Sequence, residues 1–269
     1  MPLLDGIIGC WSPSVRGSGY LLPDLSGRGN HGTLTNMDAG TDWPGAAVRG
    51  VHGRVLDFDG TNDYVAIPSN GIRFTGPQYV SMWLWFNGIT LSNRPQMFVL
   101  GDFSGQFVTQ LVAGINNIGS GGSEGTSRFA VNAYDGNISN WGRAYTDASF
   151  GGRLNEWIHF CFGHNGTTWQ IFVNGVLDTI VDQATGPRAM TTTESLYLGG
   201  GPSSRFHNGR IGETVFFRRV VTSAEARELF RQGNGAIGRQ LTGQTRRRVY
   251  GFAPITGARR RRILCGDYS

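Results

Sequence analysis

Three carboxylates crowd the segment Leu56-Asp-Phe-Asp-Gly-Thr-Asn-Asp-Tyr64, at Asp57, Asp59 and Asp63. Glycoside cleavage with retention needs two carboxyl groups about 5 Å apart astride the scissile bond. On a strand, Asp57 and Asp59 would share one face. Asp in Asp59-Gly60-Thr61-Asn62, however, is accounted for by turn closure through side-chain-to-backbone hydrogen bonds. No serine stands in the strand-to-helix context of a nucleophile elbow. His31 and His164 lack the spacing of a metal-binding pair. The chain therefore reads as non-catalytic.

Binding chemistry has better candidates. Aromatic rings beside polar groups can hold a sugar, and Tyr134, Trp141 and Tyr145 fall in a mid-chain region rich in Gly, Asn and Ser. The same aromatics would serve equally as an oligomer contact. Trp83, Trp157 and Trp169 sit in strand alternation and read as core.

Short alternating runs must position these groups. They include Ile7 to Trp11, Tyr64 to Ile67, Tyr79 to Phe86, Arg128 to Tyr134, Trp157 to Gly163, Thr168 to Val173 and Arg210 to Phe217. Asp59-Gly60, Asn165-Gly166 and Asn174-Gly175 supply hairpin turns between runs. Residues 116–127 and 137–155 read as surface loops, the second bearing Trp141, Tyr145 and Phe150. One helix is predicted, opened by the capping box Thr222-Ser-Ala-Glu225 and closed by Gly233. Many short strands without intervening helices predict an all-β sandwich.

The 269 residues include 42 Gly and 39% hydrophobic residues, too apolar for a disordered chain. No apolar run is long enough for a membrane helix. The net charge of +5 divides unevenly. Residues 239–269 hold eight Arg and one acid, Asp267, leaving 16 Arg against 18 acids before them. The chain thus reads as a β-sandwich body, 1–236, and an Arg-rich tail, 237–269. The tail carries Arg246, Arg247 and Arg248, then Arg259, Arg260, Arg261 and Arg262, with Val249, Tyr250, Phe252, Ile263 and Leu264 interleaved. A solvated end and a nucleic-acid arm are alternatives, but the interleaved apolar residues favour a protein-anchoring tail. Cys10 and Cys161 read as buried strand residues, and MPLLDGIIGCW lacks the regions of a secretory signal.

Several motifs occur in one order: Gly9-Cys-Trp11, Asp24-Leu-Ser-Gly-Arg-Gly-Asn-His-Gly-Thr-Leu34, Leu56-Asp-Phe-Asp-Gly-Thr-Asn-Asp-Tyr-Val65, Asn155-Glu-Trp-Ile-His159, Phe172-Val-Asn-Gly-Val176 and Asn208-Gly-Arg-Ile-Gly-Glu213. Over roughly residues 5–233 the chain resembles the laminin-G-like (LamG), concanavalin A-like lectin/glucanase jelly-roll family. The resemblance implies two antiparallel sheets, used mostly to bind glycans or proteins. It also implies a structural Ca²⁺, for which Asp24, Asn30, Asp59 and Glu213 are the candidate ligands. Gly212 departs from the Asp common there in relatives, and loop closure by Asp24 and Asn30 is an equal alternative. With no export signal and a basic tail, the leading expectation is a virion component, a capsid decoration or tail-associated protein. It would be made in the host cytoplasm, repeated in an assembly and anchored to other virion proteins through its tail. A cellular carbohydrate-binding module or adhesin is the alternative, with a host glycan as ligand. Nucleic acid ranks behind both as a partner, and a membrane is not expected.

Overall fold

The computed structural model describes residues 3–15, 17–48, 51–68, 72, 76–89, 94–101, 110–117, 127–134, 141–183, 195–202 and 205–243. The strands are β1 (Ile7–Trp11), β2 (Leu21–Leu22), β3 (Gly32–Thr35), β4 (Gly45–Val48), β5 (Val51–Arg54), β6 (Leu56–Asp59), β7 (Tyr64–Ile67), β8 (Gln78–Phe86) and β9 (Gln96–Gly101). They continue with β10 (Gln110–Asn117), β11 (Ser127–Tyr134), β12 (Trp141–Tyr145), β13 (Trp157–His164), β14 (Trp169–Val173), β15 (Val176–Leu177), β16 (Ile180–Gln183), β17 (Leu196–Leu198) and β18 (Asn208–Phe217). Helices α1 (Ser223–Gln232) and α2 (Ala236–Leu241) follow.

Two antiparallel sheets carry the fold. One runs β1-β18-β8-β13-β14-β15, with β6 also on β18, and the other runs β16-β12-β11-β10-β9-β17-β7-β3-β2. Alternation explains why they meet. Val80, Met82, Leu84 and Phe86 of β8 point into the main core, and Leu111, Ala113 and Ile115 of β10 meet them from the other side. Aromatic rings bridge the layers: Phe129 of β11 stacks on Phe160 of β13 at 4.0 Å, and Phe98 of β9 meets Phe162 and Phe216 edge-on. The expected sandwich is therefore present.

The turn Asn174-Gly175 links β14 to β15 with φ of 50° and 78°, the left-handed pair that a type I′ turn requires. Asn174 Oδ1 accepts from His159 N at 2.9 Å and ties the turn to β13. Helix α1 begins at the predicted box, with Thr222 accepting from Glu225 N and Glu225 answering to Thr222 N. It lies on the outer face of the seven-stranded sheet, where Ala226 and Leu229 join Cys10, Cys161, Phe172 and Phe217 in a second core.

Three expectations change. Residues 137–155 are not one loop: Trp141–Tyr145 is strand β12, and Phe150 is fully buried in the main core. The body does not end at 236, because α2 packs its buried Ile237 in the second core, so one C-terminal helix becomes two. Trp157 is half-exposed, unlike the buried Trp83 and Trp169. The arginines of the expected tail, Arg246 to Arg248 and Arg259 to Arg262, lie outside the described residues.

Candidate functional site

The four residues expected to hold Ca²⁺ do not converge. Asp24 is buried and its carboxylate is taken up by β1 and by its own loop: Oδ1 accepts from Cys10 N (3.0 Å) and Ser26 N (2.9 Å), while Oδ2 accepts from Ser26 Oγ (2.8 Å) and Asn30 N (3.1 Å). The Asn30 carbonyl in turn accepts from Trp11 Nε1 at 2.7 Å. This is the loop-closing alternative, written in Asx-type bonds.

Glu213 faces outward from β18 under α2. Its carboxylate accepts from Ile237 N (3.2 Å) and Gly238 N (2.7 Å), so it caps a helix that has no side-chain cap of its own. Burial holds its carboxyl above the usual Glu range, against the lowering effect of these N–H groups. Gly212 is equally constrained, because a Cβ there would run into the Asn234 side chain, whose Oδ1 accepts from Glu213 N. An Asp in its place has no room.

Asp59 lies at the far end of β18, paired with Asn208, and its Oδ1 accepts from Thr61 N at 2.7 Å. Asp63 accepts from Asp59 N at 2.9 Å. Burial, reinforced by the neighbouring Asp59 and Asp42, raises the Asp63 carboxyl to about 6. Each carboxylate faces N–H donors where a hard cation needs a shell of oxygens. Among the described residues no three His, Cys, Asp or Glu side chains are grouped to ligate a metal. The residues present do not fit the implied ion.

The aromatic candidates lie on two paired strands. Strands β11 and β12 pair so that Tyr134 stands opposite Trp141 and Ala130 opposite Tyr145, near the β16 edge of the nine-stranded sheet. Strand β12 alternates buried Gly142 and Ala144 with half-exposed Arg143 and Tyr145. Since Ala144 belongs to the main core, Arg143 and Tyr145 face outward. The Arg128 guanidinium lies 5.2 Å from the centre of the Tyr145 ring, and Asp147 approaches Arg128 at 3.9 Å. Further along the same outer face, Tyr64 and Tyr197 meet edge-on at 5.9 Å.

The sequence reading missed an aromatic row on the opposite side of the sandwich. Trp85 and Trp157 pair across β8 and β13 with ring centres 5.7 Å apart. Arg210, beside Trp85 on β18, lies 5.9 Å over its ring and donates from Nε to Asp57 Oδ2 at 3.0 Å. Alternation of Trp83 and Trp85 in the sequence was the available signal, since both point away from the main core.

The family model described as the concanavalin A-like lectin/glucanases superfamily (laminin G type 3) matches residues 59–227, more than half of the chain. No match in sequence was found among curated proteins. Three solved structures share the fold. The binding domain of Paraclostridial Mosquitocidal Protein 1 aligns with TM-score 0.61 at 13% identity, over 85% of this chain and 52% of that one. Domain 4 of AbnA, a GH43 extracellular arabinanase from Geobacillus stearothermophilus, was solved with arabinotriose and aligns with TM-score 0.56 at 15% identity, over 82% and 97%. The ligand binding domain of botulinum neurotoxin serotype D, in complex with N-acetylneuraminic acid, aligns with TM-score 0.58 at 13% identity, over 85% and 51%. The chain spans about half the length of the two toxin domains.

Proposed function

The chain belongs to the concanavalin A-like lectin/glucanase superfamily, and on that footing we propose that it is a non-catalytic carbohydrate-binding domain. The reading is carried by the β11–β12 edge, where half-exposed Tyr145 with Arg128 against its ring lies on the same short strand as Trp141, itself opposite Tyr134. A sugar offers a C–H face to an aromatic ring and hydroxyls to guanidinium and carboxylate groups, and Arg128, Arg143 and Asp147 supply those here. Support comes from two relatives of the same fold solved with saccharides, arabinotriose on one and N-acetylneuraminic acid on the other. The carboxylates that could have done hydrolysis are engaged structurally, Asp57 with Arg210 and Asp59 with its own turn.

A glycan array with the full chain tests this reading. Binding to at least one glycan, weakened about tenfold in Trp141→Ala and Tyr145→Ala with the melting temperature retained, is the expected result. An array without signal, or variants that bind as the parent does, would overturn it. The virion reading depends on residues 246–262, outside the described residues, and none of the three relatives named above is a virion component.

A further inference from the structure

Asp57, Arg210, Trp85 and Trp157 are successive partners across β6, β18, β8 and β13, so four side chains form one row on the outer face of the seven-stranded sheet. Three strand spacings make the row about 14 Å long. All four side chains are half-exposed, although α1 covers the face beside them, where its Phe230 stacks on Trp83 at 5.7 Å. The row is therefore a stretch of this face that the helices leave open.

Its chemistry is mixed in a particular way. The Trp85 indole N–H is already spent on Asn87 Oδ1 at 2.9 Å, so Trp85 offers its ring surface more than its donor. Arg210 uses Nε on Asp57 Oδ2, and its terminal amino groups and the other Asp57 oxygen have no further hydrogen-bond partner among the described residues. Donors and an acceptor thus stand beside two aromatic faces. The ion pair cancels its own charge, so the row has no net field to attract a phosphate or a carboxylated sugar. A flat strip of this kind suits a ligand with C–H faces and hydroxyls in alternation.

We propose that this row is a second binding site, for a neutral glycan chain laid across the strands, on the side of the sandwich opposite the β11–β12 edge. It rests on the carbohydrate-binding reading but uses none of the same residues. Sugar rings would lie on Trp85 and Trp157, with hydroxyls accepting from Arg210 and donating to Asp57.

Native gel electrophoresis of the full chain through gels containing arabinan, xylan or laminarin provides the test. Trp85→Ala and Arg210→Gln probe the row, Trp141→Ala probes the other site, and melting temperatures control for folding. Trp157 is left intact because it packs against the buried pair Val55 and Trp83. The expected result is retardation by at least one polysaccharide, weakened about tenfold in Trp85→Ala and severalfold in Arg210→Gln, with a residue surviving in Trp141→Ala. Retardation abolished by Trp141→Ala but unchanged in the row variants would overturn the second site and leave the first standing. A parent chain unretarded in every gel would overturn both. A dimer seen by sedimentation and dissolved by Trp85→Ala would make the occupant a second copy of the chain, and would also overturn the proposal.

Discussion

Glu213→Ala separates a helix cap from a metal ligand. The substitution removes the acceptors of Ile237 N and Gly238 N, which stay buried in the first turn of α2. Each orphaned N–H costs about 1–3 kcal/mol, so the loss is about 4 kcal/mol before any cavity is counted. For a domain of this size that is a fall of about 10 °C in melting temperature. Glu213→Gln keeps one acceptor oxygen but turns an amide donor toward the N–H groups, and should lose about half as much. Thermal melts followed by circular dichroism, with millimolar calcium and with chelator, make the assay. Calcium should shift neither the parent nor the variants. A Glu213→Ala melt within about 2 °C of the parent would refute the capping account, as would calcium stabilising the parent and not the variant.

Two further outcomes follow from buried carboxylates. Asp63 titrates near 6 in the fold against 3.8 in an unfolded chain, so the folded state holds the extra proton between those values and the parent loses stability as pH rises through that window. Asp63→Asn keeps an acceptor for Asp59 N without the charge. It should melt above the parent at pH 7 and converge with it near pH 4, and equal melts across that range would contradict the burial argument. Gly212→Asp would drive a carboxylate into Asn234 and Trp83, and should cost about 3 kcal/mol or more in thermal melts. Asn234→Gly in the same chain should recover part of that loss, and no recovery would mean that Asn234 is not the obstacle.

What could be read from the sequence was what neighbouring residues encode. Alternation in β8 and β14, the Thr222 box and the Asn174-Gly175 turn are local patterns, and all stand in the structure. Strand β12 escaped notice because its inward positions are Gly142 and Ala144, which bury without an apolar signature. Helix α2 escaped because it is short, contains Gly238 and is capped by a glutamate from β18, so no local stop or start marks it. The Ca²⁺ candidates failed for a related reason. Carboxylates and an amide within a Gly-rich loop look alike whether they gather oxygens or N–H groups, and only the register of β1, β18 and α2 decides between them. The Trp85–Trp157 row exists through the pairing of four strands, and such pairings are invisible to a reading along the chain.

Strand β18 takes β1 along one half of an edge, β6 along the other half and β8 on its far side. Among the described strands β1 and β6 have no other partner, so two early segments wait on residues 208–217 before they can pair. The order of synthesis is thus the reverse of the order of need. A nascent chain emerges with Trp11 and Phe58 on strands held only by loop contacts, Leu25 N to the Cys10 carbonyl and Asp57 N to the Asp42 carbonyl, and the seven-stranded sheet closes only when its keystone leaves the ribosome. Such long loops make folding slow, in the millisecond-to-second range of about 10⁻³ to 1 s typical of β-sandwiches. Until β18 arrives, the apolar faces of β1 and β6 lack their sheet, and transiently exposed surface of this kind is what makes incomplete sandwiches prone to aggregation.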